Sequence, residues 1–236
     1  MRSLVVMAMF ASSLTYATWN GYTETRDLSL ATNGVDILEI DAGAGSIIVT
    51  GVSGSDEILA KAIIRVPDSD EDDARKYIER DLILKLEKKR SKAVLDAYFE
   101  QNTWHNRSSA AVDLEVSVPQ GLRLFVDDGS GSIVIDAVQA DVEIDDGSGS
   151  IEVSGANSVV IDDGSGPIRI VNVSGDVEVE DGSGDIRVRA VGGTVTIDDG
   201  SGGIDVQDVE MDLDIVDDGS GSVRIADVRG KVSRDD

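Results

Sequence analysis

The chain has 236 residues, with 46 Asp plus Glu against 21 Lys plus Arg, a formal charge of −25. It has no Cys and one His, which excludes thiol nucleophiles, Cys-based zinc sites, disulfides and His-rich metal centres. So acidic a chain lacks the basic footprint that a nucleic-acid backbone needs. Its length is enough to bury a core, in one large domain or two small ones.

The N-terminus reads MRSLVVMAMFASSLTYATWNG: a basic Arg2, an apolar run over Leu4 to Ala11, and small residues around Thr15-Tyr16-Ala17. This layout predicts a secretory signal peptide over residues 1–17 and an exported protein, periplasmic or extracellular. An uncleaved membrane anchor is the alternative, but the run falls well short of the ~20 residues that span a bilayer. No later segment qualifies as a span. An N-terminal segment, 18–33, precedes the first patterned residues.

Residues 34–55 hold a degenerate copy, Asp41–Gly45 (DAGAG), of a phrase that recurs later in the chain, and predict a first solenoid turn. Residues 56–112 break the pattern and read as a small α+β insertion. Ile58–Val66 predicts a strand, and the acidic stretch after Ser69 leads into a capped helix over Ala74–Asp81. Leu82–Glu87 and Ala93–Glu100 predict a hairpin across the basic turn Lys88–Lys92.

From residue 113 to 236 the repeat governs. DDGSG stands at Asp127–Gly131, Asp145–Gly149, Asp162–Gly166, Asp198–Gly202 and Asp217–Gly221, with EDGSG at Glu180–Gly184. The first glycines are spaced by 18, 17, 18, 18 and 19 residues. A short fixed period means stacked units. Apolar rows keep register with the phrase, as in Ile133, Ile151, Ile168, Ile186, Ile204 and Val223, and in Val142, Val159, Val177, Val195, Leu213 and Val232. Between them the residues are mostly polar. Two short strands per unit follow, each with one buried face. One unit cannot bury that face alone, so equivalent rows must stack at about 4.8 Å.

The expected fold is therefore all-β: a parallel β-solenoid of about 18-residue coils, right-handed as parallel crossovers are. A propeller or antiparallel sandwich is the alternative, but propeller repeats run to about 40 residues. No aromatic residue follows Phe125, which suits a thin interior of Val and Ile. The long last spacing predicts a bulge around Ile215-Val216. Arg234 falls where an apolar row would continue, and predicts a charged end to the rod.

The pattern VSVPQGLRLFV (Val116–Val126), followed by repeated DGSGxIxV, resembles the bacterial "putative adhesin" family of exported β-strand-repeat domains of unknown function. So does LEIDAGAGSIIVTGVSG (Leu38–Gly54), and the likeness spans residues 34–236. The resemblance implies a solenoid-like fold and an envelope or surface role. It implies no activity and carries over no functional residue. The regular acidic doublet and the absence of a visible anchoring segment depart from the family pattern.

Asp-Gly-Ser-Gly is turn chemistry, since Gly supplies positive φ and the Asp carboxylate accepts backbone N–H groups. Asp128, Asp146, Asp163, Asp181, Asp199 and Asp218 would each cap one corner. They could instead form a calcium-stapled ladder, a hard cation relieving repulsion between stacked carboxylates. The phrase matches neither the EF-hand nor the G-G-x-G-x-D calcium repeat. An acid pair for carbohydrate processing is a third reading, but no acidic position stands out from the repeat. Trp104 and His105 sit in a loop that could contact a sugar or peptide, or Trp104 could simply cover the insertion. Trp19 and Tyr22 carry the same ambiguity.

The sequence thus predicts an exported, non-enzymatic binding, adhesion or scaffold module of the bacterial envelope. No cofactor is expected, with calcium left open. Its partner would be an envelope or extracellular protein or glycan. A calcium-stabilised rod and a glycan-active β-helix enzyme are the rivals.

Overall fold

The computed structural model describes residues 21–100 and 110–234. The strands run β1 (Gly21–Ala31), β2 (Ile37–Ala44), β3 (Ile47–Val52) and β4 (Glu57–Pro67), then the helix α1 (Glu71–Asp81). There follow β5 (Leu82–Lys89), β6 (Lys92–Phe99), β7 (Ala111–Pro119) and the long β8 (Arg123–Asp136). The repeats contribute β9 (Val142–Asp146), β10 (Gly149–Ser154), β11 (Val159–Asp163), β12 (Ile168–Val173), β13 (Val177–Asp181) and β14 (Ile186–Val191). The last are β15 (Val195–Asp199), β16 (Ile204–Val209), β17 (Leu213–Asp217), β18 (Val223–Val228) and β19 (Val232–Arg234).

Each repeat gives one strand to each of two sheets, and like pairs with like in parallel. Sheet A stacks β8, β10, β12, β14, β16 and β18, with Ile133, Ile151, Ile168, Ile186, Ile204 and Val223 in register. Sheet B stacks β8, β9, β11, β13, β15, β17 and β19. Strand β8 belongs to both sheets and bends between them through its own DDGSG phrase. The inward rows of the central coils are buried aliphatic side chains, closing a continuous core between the sheets. The fold is a parallel, all-β solenoid.

The first coil is β2 and β3, which pair in parallel with the two halves of β8. The segment between them and the repeat extends the same two sheets. In sheet A, β7 pairs with β3, β4 runs antiparallel to β7, and β1 runs antiparallel to β4. In sheet B, β6 lies parallel to β2 and β5 returns antiparallel to β6. The hairpin turn is tight, at Arg90-Ser91, so Lys88, Lys89 and Lys92 lie in the strands rather than in a loop.

Helix α1 starts earlier than expected from Ala74. Asp70 is its N-cap, accepting from the Asp73 N–H at 3.0 Å, and Glu71, Asp72 and Asp73 form the first turn. Acidic side chains there offset the positive end of the helix dipole, so a run that reads as loop composition is a helix start. Tyr77 stacks on Phe99 at 5.0 Å between ring centroids, which seats the helix on sheet B.

The bulge is where the spacing places it. Ile197 pairs with Ile215 but Asp198 pairs with Asp217, leaving Val216 as the extra residue. Arg234 binds the Asp218 carboxylate at the end of the rod. Among the described residues, no helix is long and apolar enough to cross a membrane.

Candidate functional site

The alternation of strands decides where the DDGSG aspartates point. In β9 the sequence Val142-Glu-Ile-Asp-Asp146 alternates buried and exposed, so Asp145 faces out and Asp146 faces in. The same holds in β11, β13 and β15. Asp128, Asp146, Asp163, Asp181 and Asp199 are therefore inside the corner, with exposures of 3, 2, 2, 5 and 0%. They stack in register from coil to coil, Asp128 on Asp146, then Asp163, Asp181 and Asp199. Ala42 occupies this row below Asp128.

Four of the five inner aspartates make one short-range bond. Oδ1 of Asp146, Asp163, Asp181 and Asp199 accepts the N–H of the serine two residues on, at 3.2, 3.0, 2.9 and 2.9 Å. At Asp128 the Gly129 and Ser130 amides favour the charged form without making a full hydrogen bond. The Oδ2 atoms of all five are buried and have no hydrogen-bond partner. Burial pushes the carboxyls of Asp128 and Asp163 up to about 7 and that of Asp181 up to about 6. It raises Asp146 and Asp199 too, the serine N–H opposing it in both.

Asp218 differs, because the bulge at Val216 shifts its strand. There Asp217 is the residue whose Oδ1 accepts a turn N–H, that of Gly219 at 2.8 Å, and Asp218 pairs with Arg234. Among the described residues, no group of three or more His, Cys, Asp or Glu side chains is placed to hold a metal ion. The column presents one carboxyl per coil.

Trp104, His105 and Trp19 lie outside the described residues. Tyr22 is half-buried in β1, with the Arg75 guanidinium 5.3 Å from its ring centroid, so it joins β1 to α1.

The backbone of the corner explains its glycines. The N–H groups of Gly147, Gly164, Gly182 and Gly200 donate to the carbonyls of Asp128, Asp146, Asp163 and Asp181 in the preceding coil, at 2.8–3.0 Å. Coils thus stay hydrogen-bonded through the turn. At Gly149, with φ +149°, a Cβ would stand 1.5 Å from the Gly131 carbonyl oxygen. Only glycine permits so close a stack.

Residues 59–215 match the Toastrack DUF4097 family. The chain belongs to that family. No curated protein matches it in sequence. Among solved structures, the Toastrack chain is similar to a "putative cell adhesion protein" from Clostridium sporogenes, at 12% identity and a TM-score of 0.39 over 89% of this chain and 98% of that one. A "putative lipid binding protein" from Parabacteroides distasonis shows 10% identity and a TM-score of 0.38 over 92% and 98% of the two chains. A "putative adhesin" from the same species shows 8% identity and a TM-score of 0.31 over 90% and 97%.

One surface of the Toastrack chain breaks the repeat. Where β1, β4, β7 and β3 lie side by side, a groove of about 660 Å³ opens on the outer face of sheet A. Ile48 and Leu59 stand in it 43% and 45% exposed, with Ser29, Thr50 and the Lys61–Glu115 ion pair around them. Sequence reasoning missed this groove, because its residues come from four strands that share no common phrase.

Proposed function

We propose that the chain acts outside the cytoplasm as a non-enzymatic binding, adhesion or scaffold module of the cell envelope, with an envelope or extracellular protein or glycan as its partner. The observation that carries this reading is the direction of the repeated carboxyls. The inner aspartates are sealed in the corner, and their outward neighbours repeat from coil to coil. Among the described residues of the repeat, no acid pair is thereby set apart to protonate a substrate and activate water, as glycan hydrolysis requires. A rod held by in-register backbone ladders offers long, fixed faces, and the groove at Ile48 and Leu59 adds the asymmetry that a specific contact needs.

Co-sedimentation of the purified chain with envelope fragments tests this, with the polysaccharide assayed for new reducing ends. Saturable retention without new ends is the expected result. New reducing ends would make the protein an enzyme, and no saturable retention by any envelope fraction would overturn the binding reading. An Ile48→Glu, Leu59→Glu variant then tells whether the groove or the repeat faces carry the contact.

A further inference from the structure

The aspartate column poses a problem in elementary electrostatics. Five carboxyls lie in the interior, one per coil, at the sheet spacing of about 4.8 Å. Their Oδ2 atoms are buried and have no hydrogen-bond partner in the protein. Ionised, every rung is an acceptor only, so no rung can bond to the next. A buried charge without a counter-charge is strongly disfavoured.

The surroundings offer little relief. On the same strands the outward neighbours are Asp127, Asp145, Asp162, Glu180 and Asp198, all acidic. The first inward residues past the corner, on sheet A, are Ile133, Ile151, Ile168, Ile186 and Ile204, all aliphatic. Below the first rung is Ala42, with Asp41 beside it. Above the last are Asp217 and Asp218, the latter bound by Arg234 at the extreme end. The charges that act on the rungs are other carboxylates.

We propose that the column Asp128, Asp146, Asp163, Asp181 and Asp199 is a proton store that makes the rod firmer in mildly acidic than in alkaline surroundings. A proton on Oδ2 removes the buried charge and turns an unpaired acceptor into a donor. Neighbouring rungs then bond from coil to coil on the interior side, parallel to the backbone ladder outside. At Asp181 the corner glycine keeps the space beside the carboxyl clear, since a Cβ at Gly184 would lie 3.1 Å from Asp181 Oδ2.

The direction of the pH effect follows from linkage. Folding raises these carboxyls above their ordinary value of 3.8, to about 7 at Asp128 and Asp163. The native chain therefore binds more protons than the unfolded chain between those limits. Their stabilisation is fully present below the unfolded value and is lost as pH rises through the folded one.

The experiment compares thermal midpoints at about pH 5.5 and about pH 8 for wild type and an Asp146→Asn, Asp163→Asn, Asp181→Asn variant. Asn copies the neutral carboxyl and can donate to the next rung. Wild type should melt lower at the alkaline pH, and the variant should melt higher than wild type there with the difference between the two pH values reduced. The outward Asp145→Asn, Asp162→Asn pair should leave that difference in place. Should the triple variant not fold, Asp163→Asn alone carries the same comparison. Proton uptake on refolding of wild type, measured calorimetrically in buffers of different ionisation enthalpy, reads the store without any variant. A wild-type midpoint that rises toward alkaline pH, or no proton uptake, would overturn the proposal. So would alkaline stability restored by calcium or potassium in wild type but not in the variant, which would make the column a cation site.

Discussion

Gly149 lies so close over Gly131 that a Cβ on it would stand 1.5 Å from the Gly131 carbonyl oxygen. The same approach recurs at Gly166 over Gly149, so the tightest contacts in the rod are between backbones at the DDGSG corner. Gly149→Ala must push two coils apart or unwind the corner. We expect a loss of about 3 kcal/mol or more, since both strain and broken ladder bonds contribute. Urea unfolding measures it, with the exposed neighbour Ser150→Ala as a control expected within about 0.5 kcal/mol of wild type.

The opposite corner has the reverse defect. Ala137, Gly155, Asn172, Ala190, Asp208 and Asp227 occupy equivalent positions, all with φ between +53° and +78°. Gly, Asn and Asp tolerate this region, whereas alanine is strained there by roughly 1–2 kcal/mol. Ala190→Gly should stabilise by up to about 1 kcal/mol, after the extra backbone entropy of glycine in the unfolded chain. A midpoint unchanged or lowered in urea would show that the strain is relieved some other way.

Asp113 ties the N-terminal strands to the rod. Its Oδ1 accepts from the Ser46 N–H at 2.9 Å, from Ser46 Oγ at 3.0 Å and from Arg65 at 2.6 Å, joining β7 to the turn between β2 and β3 and to β4. Asp113→Ala leaves a half-buried guanidinium and an amide without their acceptor, and should cost about 2 kcal/mol. Glu115→Ala removes only the exposed partner of Lys61 and should cost under about 1 kcal/mol. The two variants, compared by denaturant unfolding, separate a buried link from a surface ion pair.

On the acid side a different group governs. Hydrogen bonds from Asn157 and Ser158, at 2.7 Å each, hold the Asp141 carboxyl below its ordinary value of 3.8. Its contribution is present above the unfolded value and is lost as pH falls through the folded one. Asp141→Asn should therefore lower stability at neutral pH and lose less than wild type on further acidification. Melting curves from about pH 5 to about pH 2 check this.

Much of the rod was legible because apolar rows, polar neighbours and the 17–19 residue spacing agree with one another. A single parallel stack satisfies them all, and the one long spacing even marks Val216 as the bulge. The inward turn of the second aspartate was written in the same alternation. Val142-Glu-Ile-Asp-Asp146 continues it through the doublet, but Asp-Gly-Ser-Gly is also a turn signature, and reading the aspartates as corner caps or a cation ladder left their burial out. The strained corner was fainter, since alanine at two of its positions masks the Gly, Asn and Asp of the others. Strand β1 was obscured for another reason. Its inward-facing row includes Glu24 and Arg26, which pair at 2.7 Å, so two of its five positions hold an ion pair in place of apolar residues.

The protonation of the inner aspartates is open to direct observation. Infrared spectra of the folded chain near neutral pH should contain a protonated carboxyl band that weakens in the Asp146→Asn, Asp163→Asn, Asp181→Asn variant and disappears from wild type above about pH 8. A spectrum holding only ionised carboxylate at about pH 6, where Asp128 and Asp163 are expected to keep their protons, would contradict the proton-filled column.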